Sequence, residues 1–159
     1  MPEPRTPAGE KTVADNRRAL FDYHIDDRVE AGIALTGSEI KSIRAGKVNL
    51  REGYARIERG EAWLLGVHIS PWSHAGEHYQ HEPLRRRKLL LHRMEILSLG
   101  TKAAQKGATL VPLRLYLKGG KAKVELALAR GKKQYDKREA IKKREMKREL
   151  EEARKREFR

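Results

Sequence analysis

The feature that most constrains the fold is the stretch TLVPLRLYLKGGKAKVELALARG at 109–131. Apolar residues alternate with other residues on both sides of Gly119-Gly120: Val111, Leu113, Leu115 and Leu117, then Val124, Leu126 and Leu128. Alternation with a period of two predicts strands with one buried face, and the two glycines suit a type I′ turn. Pro112 cannot donate a hydrogen bond to a ladder, so we expect it at a sheet edge or a bulge. The stretch therefore predicts a long antiparallel hairpin.

The preceding part of the chain carries further strand patterns. Residues 23–35 alternate mostly with period two, and the break in that pattern at Asp27 predicts a bulge or a bend. Gly32 within this segment suggests a bend or a close approach of another backbone. The stretches GYARIER and EAWLLGVHI flank Gly60 and predict a second hairpin, and RRRKLLLH predicts one more strand after a polar loop.

A short helix is predicted directly after residues 23–35. Thr36 and Glu39 have the spacing of a capping box, and Gly46 is placed to end the helix. The isoleucines of this helix share one face, which we expect to be buried. Its cations, Lys41 and Arg44, share another face, which we expect to be exposed.

Two other helices flank these strands in the prediction. Asp15 or Asn16 can cap a short one, and the stretch RMEILSLGTKAAQKG predicts a longer one that ends at Gly107. The side chains expected to face inward are Ala19 and Leu20 in the first helix and Met94, Leu97 and Ala104 in the second.

These elements amount to about six short strands with two or three helices, and the strands are joined by hairpins rather than by βαβ units. The fold class is therefore predicted as mainly β with flanking helices: an OB-like small antiparallel barrel plus a basic C-terminal tail. We expect a flexible N-terminal lead at 1–14, which contains three of the six prolines, then the barrel at 15–130 and the tail at 131–159.

The charge of the chain predicts the kind of partner. It carries 36 Lys and Arg against 22 Asp and Glu, a net charge of +14. Such an excess indicates a polyanionic partner, most simply nucleic acid, while a basic surface that binds nothing specific is the alternative. The chain has no cysteine, which excludes disulfides and thiolate sites. It has neither a secretory signal nor an apolar run long enough to span a membrane, so we expect a cytoplasmic protein without a membrane partner.

The sequence favours a binding protein over an enzyme. His74, His78 and His81 with Glu77 invite a zinc site, but they lie in a predicted loop without an H-E-x-x-H pattern. Asp26 and Asp27 are adjacent in a predicted strand and would point to opposite faces. There is no nucleophile elbow, P-loop or dinucleotide fingerprint. We therefore predict no catalytic residue, no metal and no cofactor, and keep a metal-dependent nuclease as a rival.

Three separated stretches resemble the small protein B family, the SsrA-binding proteins: EAGIALTGSEIKSIRAGK, RKLLLHRMEI and ARGKKQYDKR. The resemblance implies an OB-like barrel that binds the tRNA-like domain of transfer-messenger RNA and delivers it to stalled ribosomes for peptide tagging. Its implied partners are that RNA, the ribosome with its small-subunit rRNA, and, through the RNA, alanyl-tRNA synthetase and elongation factor Tu. A general OB-type RNA-binding or ribosome-assembly factor is the alternative.

The resemblance also implies an RNA-binding surface. It places Glu30 and the segment from Leu90 to His92 at the RNA. The alternative for Glu30 is a structural role, as an ion-pair partner of Lys41 or Arg44. His92 stands where some members of the family have Asn. The alternative to an RNA contact is that His92 is simply an exposed histidine at the end of a strand. The other expected contacts are phosphate and sugar contacts by Asn16, Arg17, Arg18, Lys41, Arg44, Arg87 and Lys88.

The tail has its own implied site. In the family it is disordered when free and helical in the empty messenger channel, and it occupies the decoding centre. The matching residues here are Gly131, Lys132, Lys133, Gln134, Tyr135, Asp136, Lys137 and Arg138. Asp136 and Glu139 have capping-box spacing, which predicts Asp136 as the N-cap with Tyr135 just outside the helix. Gly131 is expected to act as a swivel, and Tyr135 either stacks on a base or packs back onto the barrel or Ala140.

Overall fold

The computed structural model describes residues 9–132 and 134–157. The strands are β1 Glu10–Asp15, β2 Tyr23–Ile33, β3 Val48–Asn49, β4 Tyr54–Glu58, β5 Glu61–Leu65, β6 His68–Ile69, β7 Arg87–Leu90, β8 Thr109–Lys118 and β9 Lys121–Gly131. The helices are α1 Arg17–Asp22, α2 Gly37–Arg44, α3 Arg93–Lys106 and α4 Gln134–Glu157, with a 3₁₀ turn at Glu77–Tyr79.

Six strands close into a barrel-like sheet. They pair antiparallel in the order β8-β4-β5-β7-β2-β9, and β9 pairs back onto β8. β1 lies on the outer edge of β8, and β3 pairs with β6 in a separate small sheet. The predicted fold class, an antiparallel barrel with helices and a C-terminal extension, is therefore confirmed.

The β8–β9 hairpin forms as predicted, but apolar residues of β8 are buried on both of its faces instead of on one. Gly119 (φ 57°) and Gly120 (φ 78°) make its turn, and Lys118 is paired with Lys121. A register shift between Pro112 and Arg114 marks the expected bulge. An extra residue in a strand moves all later side chains to the other face. As a result Leu115 and Leu117 pack in the barrel core, whereas the residues that pack in a second cluster under α1 are Val111 and Leu113.

Two predictions for β2 are confirmed. The register between β2 and β9 shifts between Ile25 and Arg28, which places a bulge at the break in the sequence pattern. Gly32 lies directly opposite Leu90 of β7, and a Cβ on Gly32 would stand 3.2 Å from the Leu90 Cβ. A side chain at position 32 would require Leu90 to shift by a few tenths of an ångström, as expected where two strands approach closely.

The capping box of α2 is present, since the Glu39 Oε1 atom accepts a hydrogen bond of 2.9 Å from the Thr36 N–H. The predicted inward face of α3 is wrong. Met94 is 77% exposed and Leu97 59%, Ala104 is exposed as well, and the helix packs through Leu99, with Ile96 and Ala103 beside it. Both sets of residues have helical spacing, so periodicity alone could not choose between them.

The two ends of the chain differ from the prediction. The first strand begins at Glu10, five residues before the expected start of order at Asp15, because it pairs with β8. Asn16 caps α1 and Ala19 is buried, as predicted, but Leu20 is exposed. Helix α4 begins at Gln134, so Asp136 lies within its first turn and is not the N-cap. Within the described residues, no helix is both long and apolar enough to cross a membrane.

Candidate nucleic-acid interface

A groove of about 790 Å³ lies on the outside of the barrel, between β2, β7, β9 and the start of α3. It brings together residues far apart in the sequence, and the members that matter here are Glu30, Gly32, Lys88, Leu90, His92 and Lys123. Arg59 and Arg93 add further positive charge to its walls. The acids Glu61 and Glu95 line it as well, so the groove combines three carboxylates, apolar side chains, a histidine and four cations.

Glu30 is held by residues other than the predicted ones. Its Oε2 atom accepts a hydrogen bond from the Tyr116 hydroxyl, and the Lys118 Nζ atom lies 3.6 Å from the same oxygen. Lys41 and Arg44 do not contact it, so the alternative role predicted for Glu30 is wrong. The hydrogen bond from Tyr116 is the main reason that the pKa of the Glu30 carboxyl lies below its ordinary value, with Lys118 and Lys123 contributing. Glu30 thus presents a negative charge among cations.

The other predicted groove residues are accessible to a ligand. Leu90 is 54% exposed, and the His92 side chain is 92% exposed at the point where β7 gives way to α3. Lys88 is exposed and makes a surface ion pair of 3.3 Å with Glu61. Exposed pairs of this kind contribute little to stability, so Lys88 can exchange its partner for a phosphate at low cost.

Arg87 is a correction, because its side chain is fully buried and has no surface to offer to RNA. Its Nε atom donates to Glu39 Oε2, and its Nη atoms donate to the carbonyls of Val67 (2.7 Å) and Pro83 (3.1 Å). Burial alone would raise the pKa of the Glu39 carboxyl. The hydrogen bonds from Arg85, the Thr36 backbone and Arg87 outweigh that effect and lower its pKa to about 2. This ion pair ties α2 to β7 inside the protein.

Asn16 is a second correction. It is only 6% exposed, and its side chain is occupied as the cap of α1: the Oδ1 atom accepts from the Ala19 N–H, and the Nδ2 atom donates to the Pro112 carbonyl. Arg17 and Arg18 are exposed as predicted, and Arg18 forms a pair of 3.1 Å with Asp22. This group lies near the Tyr23 end of β2. Glu30 is seven residues further along that strand, or about 23 Å at roughly 3.3 Å per residue.

Lys41 and Arg44 are exposed on α2, but neither lines the groove. The predicted contacts therefore fall into three places: the groove, the outer face of α2, and the region of α1. Within the part of the chain that the structure describes, the groove gathers several of these predicted contacts in one place.

The tail leaves the barrel beside α1, at the end opposite the groove. Gly131 is paired with Tyr23 in the β2–β9 ladder, and the Lys132 N–H donates to the Asp22 carbonyl at 3.0 Å. Lys133 lies outside the described residues, as do the side chains of Gln134, Tyr135, Asp136 and Lys137, so the predicted roles of these side chains stay predictions. Arg138 is exposed on α4, and the Arg144 guanidinium lies 5.3 Å from the Phe21 ring.

The histidine loop contains a structural histidine. His81 is buried, with its Nδ1 atom 2.8 Å from Ser38 Oγ and its Nε2 atom 2.9 Å from the Ile69 carbonyl. A carbonyl oxygen can only accept a hydrogen bond, so the His81 Nε2 atom carries a proton and donates to the Ile69 carbonyl. Both ring nitrogens are therefore engaged with the protein, and among the described residues no group of three or more His, Asp or Glu side chains is arranged to hold a metal ion.

The family model of the SmpB protein matches residues 13–156. The chain belongs to the SmpB family.

The similarity to other members of this family is extensive. An SsrA-binding protein of Roseiflexus sp. (strain RS-1) is 62% identical over 144 residues, which cover 91% of each chain. One of Trichodesmium erythraeum (strain IMS101) is 59% identical over 145 residues, which cover 91% of this chain and 93% of that one. A chain of the solved structure "tmRNA-SmpB: a journey to the center of the bacterial ribosome" is 48% identical, with a TM-score of 0.65, over 80% of this chain and 93% of that chain.

For this SmpB-family chain, sequence reasoning missed several charged residues of the groove and the partner of Glu30. Arg59, Arg93, Lys123 and the acids Glu61 and Glu95 line the groove, and Tyr116 holds Glu30. Lys123 precedes the buried Val124 in β9, so strand alternation could have identified it as outward facing. Tyr116 carried no such signal, because its contact with Glu30 joins residues 86 positions apart.

Proposed function

We propose that this protein is an RNA-binding adaptor, and not an enzyme, that binds the tRNA-like domain of transfer-messenger RNA through the groove and delivers this RNA to stalled ribosomes. The observation that carries the proposal is the groove itself, in which Glu30, Leu90 and His92 meet beside Lys88 and Lys123. Cations there can contact phosphates, which positions an RNA without reading its sequence. The carboxylate, the leucine and the imidazole offer contacts to bases or sugars.

Membership of the SmpB family supports this choice of RNA. The related proteins are named SsrA-binding, and the solved relative is described with tmRNA and the bacterial ribosome. Alanyl-tRNA synthetase and elongation factor Tu act on tRNA-like molecules, so we propose that they meet this protein only through the RNA. We place its action in the cytoplasm, where bacterial ribosomes are. Ribonuclease treatment of an extract should abolish the co-purification of both proteins.

We further propose that the tail serves the ribosome, with residues 131–138 at the decoding centre and α4 in the empty messenger channel. Two observations support a separate role for the tail: it leaves the barrel at the end opposite the groove, and the described side chains of α4 from Ile141 onward are all exposed. Alone in water such a helix is marginal, because nucleation is costly and each i,i+4 ion pair stabilises it by only about 0.2–0.5 kcal/mol. A phosphate-lined channel would favour it.

Removal of the tail tests this division of roles. Truncation after Arg130 should leave the Kd for the tRNA-like domain within about twofold of the full-length value and abolish peptide tagging on stalled ribosomes. The matched control is full-length Glu30→Ala, which should lose RNA affinity first and tagging as a consequence. Tagging by the truncated protein would refute the role of the tail. Sequencing of the RNA that co-purifies with the full chain separates transfer-messenger RNA from the bulk RNA expected for a general RNA-binding factor.

A further inference from the structure

Tyr116 is a buried tyrosine whose hydroxyl points at the one acid of the groove that the family resemblance singled out. It lies in β8, is 2% exposed, and donates its hydroxyl hydrogen to Glu30 Oε2. Burial and the neighbouring Glu30 raise the pKa of the Tyr116 phenol, so it stays protonated and remains a donor. The contact spans two strands that are not adjacent in the sheet, because β9 lies between β2 and β8.

The Tyr116 ring is fixed from several sides. The Arg114 guanidinium lies 4.1 Å from the ring centroid, in cation–π geometry. Arg114 is in turn held at 3.2 Å by Glu10 of β1 and at 3.7 Å by Glu125 of β9. Glu10 also lies 3.8 Å from the Lys118 Nζ atom, which contacts Glu30. The position of the phenol is therefore set by three strands, including the N-terminal strand that the sequence did not predict.

This arrangement uses one carboxylate oxygen and leaves the other available. Tyr116 and Lys118 both approach Oε2, and Glu30 Oε1 has no hydrogen-bond partner among the described residues. The Glu30 side chain is 40% exposed. A glutamate so exposed and without a fixed neighbour would sample several rotamers, and binding would then have to order it.

We propose that Tyr116 is a positioning residue for RNA recognition, which fixes the Glu30 carboxylate in one orientation and leaves Oε1 to accept a hydrogen bond from an RNA base or hydroxyl. The inference rests on the proposed function, since it assumes that the groove binds the tRNA-like domain. Tyr116 itself does not touch the RNA. Its effect is to order the Glu30 side chain before the RNA binds, so that binding does not have to order it.

Tyr116→Phe tests the proposal, because it removes only the hydroxyl and keeps the packed ring. The Kd for the tRNA-like domain should rise about tenfold, which corresponds to about 1.4 kcal/mol. The slope of log Kd against log salt should not change, because no phosphate contact is removed. Tyr79→Phe is the matched control, since Tyr79 is 81% exposed in the loop before β7. Cooperative thermal melts with midpoints well above the assay temperature verify that wild type, Tyr116→Phe and Tyr79→Phe are all folded.

A double-mutant cycle with Glu30 separates the possible failures. If Tyr116 acts through Glu30, Tyr116→Phe should have no further effect in a Glu30→Ala background. Additive effects of the two changes, or wild-type affinity of Tyr116→Phe while Glu30→Ala weakens binding, would overturn the positioning role. Unchanged affinity of Glu30→Ala would instead overturn the groove as the RNA site, whatever the tyrosine does.

Discussion

Replacement of Arg87 by methionine is the sharpest test of the corrected interface. Breaking a buried ion pair by removing one partner typically destabilises a protein by about 3–5 kcal/mol. Here Glu39 would keep its hydrogen bonds from Arg85 (2.5 Å) and Thr36 (2.9 Å), which favours the lower half of that range. The carbonyls of Val67 and Pro83 would lose their donor, at about 1 kcal/mol each if water cannot replace it. We expect Arg87→Met to lower the free energy of unfolding by about 3–4 kcal/mol if water replaces the two lost donors, and by about 5–6 kcal/mol if it does not.

Urea unfolding followed by tryptophan fluorescence measures this loss, and Lys88→Met is the matched control. Lys88 is the next residue along β7, but its pair with Glu61 is exposed, so its replacement should change the free energy of unfolding by less than about 1 kcal/mol. RNA affinity should show the reverse pattern: weaker binding by Lys88→Met, and near-normal binding by the folded fraction of Arg87→Met. An Arg87→Met protein of normal stability and weakened RNA binding would refute the structural role assigned to Arg87.

Two further predictions concern stability. The pKa of the Glu39 carboxyl is about 2 in the native protein against 4.5 ordinarily, so its ionised form contributes fully to stability above about pH 4.5 and loses that contribution as the pH falls towards 2. The free energy of unfolding should therefore fall more steeply between these pH values in wild type than in Glu39→Gln. Equal slopes for the two proteins would contradict the low pKa assigned to Glu39. Gly66 has φ 71°, and a Cβ there would stand 2.4 Å from the Glu52 carbonyl oxygen, so Gly66→Ala should lower the free energy of unfolding by about 2 kcal/mol or more. Gly76→Ala, where a Cβ meets nothing within 4 Å, should be close to neutral in the same urea assay.

Local signals in the sequence predicted local structure well. The capping box of Thr36 and Glu39, the glycine turn at 119–120 and the bulge near Asp27 each depend on residues a few positions apart, and all three are present. The bulge after Pro112 was predicted too, but its consequence was not. It reverses the faces of β8 between Leu113 and Leu115, which a strict alternation over the whole strand cannot represent.

Long-range contacts explain what the sequence did not reveal. Arg87 stands in a run of basic residues and was predicted at the surface, yet its partner Glu39 is 48 positions away. Asn16 was predicted both as a cap and as an RNA contact, and the cap leaves its side chain buried. Helix α3 offers two apolar rows, and its packing against the barrel core, which the sequence alone does not specify, selects Leu99 as the buried residue. The family resemblance identified three residues of the groove, Glu30, Leu90 and His92. The role of Tyr116 could be identified only from the fold, which brings its hydroxyl to Glu30.

The most direct test of the central claim is a competition measurement at about 0.2 M salt, where binding through phosphates alone is strongly weakened. Fluorescence anisotropy would compare the Kd for the tRNA-like domain of transfer-messenger RNA with that for an unrelated RNA hairpin of equal length. We expect the tRNA-like domain to bind at least about tenfold more tightly, and Glu30→Ala to lose most of that preference. Equal Kd values for the two RNAs in the wild-type protein would contradict the proposed function.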